Sequence, residues 1–84
     1  MEPEKELIWR ELQKIIQAQN PKLGEVTPEL RMFCDLRYDS LKTMELILKI
    51  EKLFGIEING EDMLKGKLQT PEKIVDLITE RKKL

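Results

Sequence analysis

From Pro3 to Gln19 the apolar residues Ile8, Leu12, Ile15 and Ile16 recur at helical spacing among Glu, Lys, Arg and Gln, and Pro3 suits the first turn of a helix. Asn20-Pro21 breaks this pattern. Gly24, Pro28 and mixed polarity through Asp39 predict a long connection, with a turn of helix after Thr27-Pro28. The segment Ser40 to Phe54 has no Pro or Gly and is dense in helix formers, and Gly55 beyond it suits a left-handed C-terminal cap. Asp39 or Ser40 can be its N-cap, either choice leaving Ser40 at the helix start. After Ile56-Glu57-Ile58, the stretch Asn59 to Leu64 reads as a turn leading into a short helix closed by Gly66. Thr70-Pro71 supplies an N-cap and a proline at the first helical position of a last helix. Its buried stripe is Ile74, Leu77 and Ile78, and its basic tail Arg81-Lys82-Lys83 complements the helix dipole.

These elements predict an all-α domain spanning 1-84, a small bundle of three main helices plus a short one, with a long first loop. The expected core is Leu12, Ile15, Leu46, Ile50, Phe54, Ile74 and Ile78, with Trp9 at its edge. On a wheel at about 100° per residue, Leu46, Ile47, Ile50, Leu53 and Phe54 share one broad face of the second main helix. Leu41, Met44 and Leu48 fall roughly opposite, flanked by Lys42, Glu45, Lys49 and Lys52. A second apolar stripe bordered by charges has the makings of a docking surface, and Met44 and Leu48 are assigned to it. Leu41 either joins them or packs beneath the first loop.

Composition narrows the chemistry. At 84 residues with one cysteine, the chain must draw its stability from apolar burial, without an internal disulfide. Cys34 is expected to be a small buried or half-buried side chain. Histidine is absent, which removes the commonest general base near neutral pH and the commonest metal ligand. No catalytic residue and no metal site are therefore assigned, and the protein is read as a non-enzyme. A formal net charge of −1 argues against a nucleic-acid footprint, although Lys42, Lys49, Lys52 and the terminal lysines could serve one. The start Met1-Glu2-Pro3-Glu4-Lys5 does not resemble a secretory signal, and no apolar run approaches membrane-spanning length. A cytoplasmic monomer is the expectation.

The segment Phe33-Cys34-Asp35-Leu36-Arg37-Tyr38-Asp39-Ser40-Leu41 resembles the phosphopantetheine attachment region of the acyl carrier protein family. The family also places Phe seven residues before the serine and Asp-Leu just upstream, matched by Phe33 and Asp35-Leu36. Met44-Glu45-Leu46 resembles its Val-Glu-Leu segment. Glu51 to Ile58 and Thr70-Pro71 continue the likeness, which covers roughly residues 27 to 80, the first helix matching in pattern only. The resemblance implies a 4'-phosphopantetheine arm on Ser40, with Asp39 at the magnesium site used during its transfer and Leu41 beside it. Cargo would ride as a thioester on the arm. The implied partners are a phosphopantetheinyl transferase, an acyl- or aminoacyl-loading ligase, and a downstream synthase or transferase. They would meet Leu41, Lys42, Met44, Glu45 and Leu48. A serine at a helix start is accessible, and the free N–H groups there suit a phosphodiester, to which Lys42 adds attraction.

Two departures from the family pattern stand out. The family usually has Gly two or three residues before Asp-Ser-Leu, where this chain has Leu36-Arg37-Tyr38. Tyr38 could shield the attachment point, meet a partner or cover the core edge. Carriers of primary fatty acid synthesis are strongly acidic along the second helix. Here three lysines face two glutamates between Ser40 and Phe54, a balance of +1. A dedicated partner set in a specialised pathway follows from that difference. Acyl, polyketide, peptidyl and D-alanyl cargo all remain open. The rival reading is an unmodified interaction module of the same fold.

Overall fold

A computed structural model describes residues 3–82, and all regular structure among them is helical. The elements are α1 (Pro3–Gln19), α2 (Ser40–Phe54), α3 (Gly60–Leu64) and α4 (Pro71–Lys82). The helix boundaries match the spacing and punctuation of the sequence closely. Lys83, expected in the basic tail, lies outside the described residues.

α1 packs chiefly against α4 and then against α2. Ile8, Leu12 and Ile16 from α1, Leu46, Ile47 and Ile50 from α2, and Ile74, Val75, Leu77 and Ile78 from α4 form one continuous core. Leu12, Ile16, Ile50, Ile74 and Ile78 have no exposure at all. Ile15 and Phe54 are only half-buried against the core, as is Trp9. Leu53 departs from expectation: it is 51% exposed, because it sits at the margin of the α2 apolar arc and beside Lys49 and Lys52.

The long segment between α1 and α2 contains turns and no helix after Thr27-Pro28. It is nevertheless pinned. Val26, Met32 and Tyr38 insert into the core. The Gln13 and Gln17 side chains of α1 donate to the Val26 and Leu23 carbonyls, at 3.2 and 2.6 Å. On the other side, Met32 N–H donates to the Gln69 carbonyl and Glu72 N–H to the Pro28 carbonyl, at 2.9 and 3.1 Å. A loop this long can order because its backbone groups find partners on two helices.

Gly55 closes α2 in the left-handed conformation (φ 66°), its N–H donating to the Glu51 carbonyl. α3 begins with a reciprocal cap: Asn59 Oδ1 accepts from Asp62 N–H, and Asp62 Oδ2 accepts from Asn59 N–H. Arg81 near the end of α4 reaches across to Asp62 Oδ1 and to the Glu57 carbonyl. This clamp ties the segment around α3 to the end of α4. Burial pushes the Asp62 carboxyl up, but the hydrogen bond from Asn59 and the Arg81 guanidinium outweigh it and hold the carboxyl below its ordinary value.

Candidate functional site

Asp39, in extended conformation (φ −98°, ψ −174°), is the N-cap of α2: its Oδ1 accepts from Lys42 N–H at 2.8 Å and its carbonyl from Thr43 N–H at 2.9 Å. Ser40 is therefore the first helical residue. It is exposed, and its hydroxyl has no hydrogen-bond partner among the described residues. Nothing in the fold depends on its hydroxyl. The second carboxylate oxygen of Asp39 remains free after capping, so one residue can hold the helix start and still serve a cation.

Leu41, Met44 and Leu48 are 70, 55 and 58% exposed. Leu41 thus joins the ridge and does not pack under the loop. Thr43, Leu46, Ile47 and Ile50 are buried on the other side of the same helix. Glu45, Lys49 and Lys52 are exposed beside the ridge, whereas the Glu51 carboxylate accepts from Ile58 N–H at 2.9 Å and is held against the backbone. Positive charge therefore dominates among the freely presented side chains of α2. Lys52, Lys49, Leu53 and Ile15 also line a shallow cleft between α2 and α1.

The neighbourhood of Tyr38 was not legible from the residue pattern. Its ring is buried, and its hydroxyl donates to Gln19 Oε1 at 2.7 Å and accepts from Asn20 Nδ2 at 3.2 Å. Of its three possible roles the structure shows the one at the core edge. Burial raises the Tyr38 phenol above its ordinary value, with the Asn20 hydrogen bond opposing. Lys42 Nζ donates to Asn20 Oδ1 and lies 4.8 Å from the centroid of the Tyr38 ring, while Gln19 Nε2 donates to the Lys42 carbonyl. Gln19 and Asn20, which the sequence marks only as a helix end, thus fix the first turn of α2 to the last turn of α1.

Arg37, two residues before the cap, has φ 54°, a left-handed conformation that costs a non-glycine residue about 1 kcal/mol. The position where the resemblance expects glycine is thus one where glycine would be unstrained. Asp35 and Arg31 form an ion pair at 3.3 Å. Asp35 accepts from the Arg31 backbone and side chain, and these bonds hold its carboxyl below the ordinary range. Cys34 is exposed, contrary to the expectation of a buried thiol, because its turn faces outward while Met32 and Tyr38 on either side supply the core contacts.

Comparison with known proteins agrees with this geometry. Residues 10–78 match the family model described as "Phosphopantetheine attachment site". The chain is 42% identical over 73 residues to an acyl carrier protein of Rubrobacter xylanophilus, covering 82% of this chain and 88% of that protein. It is 36% identical over 70 residues to an acyl carrier protein of Rickettsia bellii, covering 79% of this chain and 80% of that one. The residues fit the group the family carries: an exposed first-turn serine without internal partners, a capped helix start, and an unobstructed apolar ridge beside it. Phosphopantetheine, when attached, supplies a thiol on which an acyl group rides as a thioester. With a family model covering most of its length and relatives at this identity, the chain belongs to the acyl carrier protein family, whose members bear phosphopantetheine and carry cargo without catalysing its chemistry.

Proposed function

We propose that Ser40 is the attachment residue and that the protein carries acyl or aminoacyl groups for a dedicated set of enzymes in a specialised biosynthetic pathway. The observation that supports this most directly is an exposed Ser40 hydroxyl at the start of a capped helix, with Leu41, Met44 and Leu48 exposed beside it. In the transfer, the Ser40 Oγ–P bond forms as the pyrophosphate P–O bond of coenzyme A breaks. The 3′,5′-ADP leaves with the electron pair, and the serine proton passes to a base on the transferase. Asp39, whose second carboxylate oxygen is not used by the cap, would be the residue that holds a magnesium ion during this transfer.

The partner set follows from the α2 surface. Its ridge presents Leu41, Met44 and Leu48 with Lys49 and Lys52, so a loading ligase or downstream synthase would meet it with an apolar groove bordered by carboxylates. A partner shaped for a strongly acidic helix would be repelled. The cytoplasm is the proposed compartment, and no helix among the described residues is long and apolar enough to cross a membrane.

Incubation with coenzyme A, magnesium and a broad-specificity phosphopantetheinyl transferase, followed by intact mass measurement, tests the assignment. A gain of one phosphopantetheine in the wild type and none in Ser40→Ala is the expected result. No gain with several transferases would refute it and favour an unmodified interaction module.

A further inference from the structure

On the side of the α2 start that faces α1, Gln19, Asn20, Lys22, Leu36, Arg37 and Lys42 line an open cleft of about 460 Å³. Its charge is one-sided. Lys22, Arg37 and Lys42 contribute cations, and the one carboxylate on the wall, Asp35, is already paired with Arg31 at 3.3 Å. Lys22 and Arg37 have no partner among the described residues. Lys42 is held in place by Asn20 Oδ1 and by the Tyr38 ring, whose own hydroxyl is fixed by Gln19 and Asn20. The cleft therefore has an ordered polar floor with a preset positive charge and two uncommitted cations at its rim.

Arg37 sharpens the point. Its backbone is in the left-handed region, and its exposed side chain makes no hydrogen bond or ion pair among the described residues. No hydrogen bond or ion pair among the described residues accounts for a cation at this position. An external anion would. Two of the lining residues, Arg37 and Lys42, lie three positions before and two after Ser40 in the chain, so a long flexible group tethered at Ser40 would sample the cleft at high effective concentration.

We propose that this cleft is an anion-binding subsite for the tethered arm, with Arg37 and Lys22 as its recognition cations and Lys42 as a fixed third charge. The inference rests on Ser40 being the attachment residue. Two anions could come from the arm: its phosphodiester, or a carboxylate at the free end of a short diacid cargo. The apolar contributions of Pro21, Leu23 and Leu36 to the wall suit a short chain leading to such a carboxylate.

The test uses amide chemical shifts of the whole chain in four states: unmodified, bearing the arm alone, bearing a butyryl arm, and bearing a succinyl arm, each loaded from the corresponding coenzyme A. Shifts at Asn20, Lys22, Leu23 and Arg37 on attachment of the bare arm, absent from the Arg37→Gln/Lys22→Gln variant, identify the phosphodiester as the occupant. Shifts at these residues that appear with succinyl and not with butyryl identify the carboxylate. If all loaded states leave these residues unmoved, or if the shifts persist in the double variant, the proposal is overturned. Should Ser40 refuse modification, inorganic phosphate titrated into the unmodified protein still reads the cleft. Saturable shifts there, weakened at least tenfold in the double variant, uphold an anion site independently of the carrier assignment. No saturable shift refutes it.

Discussion

Asp62→Asn should unfold the protein far more readily than any substitution at the attachment site. The Asp62 side chain is 4% exposed and accepts from Asn59 N–H at 2.9 Å and from Arg81 Nη2. An amide keeps one acceptor oxygen but loses the charge, and its NH2 group must face either a backbone N–H or the guanidinium. Each charge-assisted bond contributes about 1.5–3 kcal/mol. Arg81 is 22% exposed and keeps its bond to the Glu57 carbonyl at 2.6 Å, so part of the loss is recovered by hydration. The expected net cost is about 2–3 kcal/mol, against a total of roughly 4–13 kcal/mol for a domain of this length. In urea, with a slope of about 1 kcal/mol per M, the midpoint should fall by roughly 2–3 M when followed by far-ultraviolet circular dichroism at pH 7. The sign of the pH dependence follows from the lowered carboxyl. The stabilisation is complete above the unfolded-state value near 3.8 and is lost as pH falls through the lower folded-state value. The gap between wild type and Asp62→Asn should therefore be constant from pH 7 to about 5 and shrink below about 4. A change under about 0.5 kcal/mol at pH 7, or a gap that does not narrow in acid, would show that the clamp does not work as its geometry implies.

Asp39→Ala should cost about 1 kcal/mol by removing the α2 cap, read from urea midpoints, and should slow attachment of the arm. Asp39→Asn separates the two roles: it keeps the cap and stays within about 0.5 kcal/mol of wild type, yet the rate of mass gain with transferase still drops if the carboxylate serves magnesium. Thr43 carries a buried hydroxyl with no partner among the described residues, unlike Thr79, whose hydroxyl donates to the Val75 carbonyl at 2.8 Å. Thr43→Val should accordingly stabilise by about 1 kcal/mol and raise Tm by several degrees in a thermal melt, while Thr79→Val gains nothing. An unchanged or lower Tm for Thr43→Val would mean that the hydroxyl is satisfied in solution.

The helices were legible because each carries its own local signals: apolar residues at helical spacing in α1, the Thr70-Pro71 start of α4, Gly55 at the end of α2. The two-faced character of α2 was legible for the same reason, since 100° per residue alone separates Leu41, Met44 and Leu48 from Leu46 and Ile50. Burial at the margins was not, because Leu53 and Phe54 differ by one helical step and only the position of the neighbouring helices decides which is covered. Loop residues were the hardest. Met32 and Tyr38 enter the core from a segment without period, and Cys34 lies exposed between them. The Asn20–Tyr38–Lys42 network joins residues about twenty positions apart and leaves no local trace in the chain.

α2 divides its labour between two faces. Its buried face, Leu46, Ile47 and Ile50, and the clamp from α4 hold the domain together, whereas Asp39, Ser40 and the exposed ridge contribute little beyond one cap. A carrier must offer its attachment point to several enzymes in turn, so the site gains from being independent of the core. Ser40 meets that condition because its hydroxyl bonds to nothing among the described residues. The exception is Lys42, which belongs to both sides. Its backbone amide completes the Asp39 cap while its ammonium is anchored to the end of α1, so the first turn of α2 cannot shift without disturbing the Tyr38 contact. If Ser40 bears the arm as proposed, a partner that pulls on it acts against a helix start fastened at one corner, which would keep the arm's base fixed while the arm itself moves.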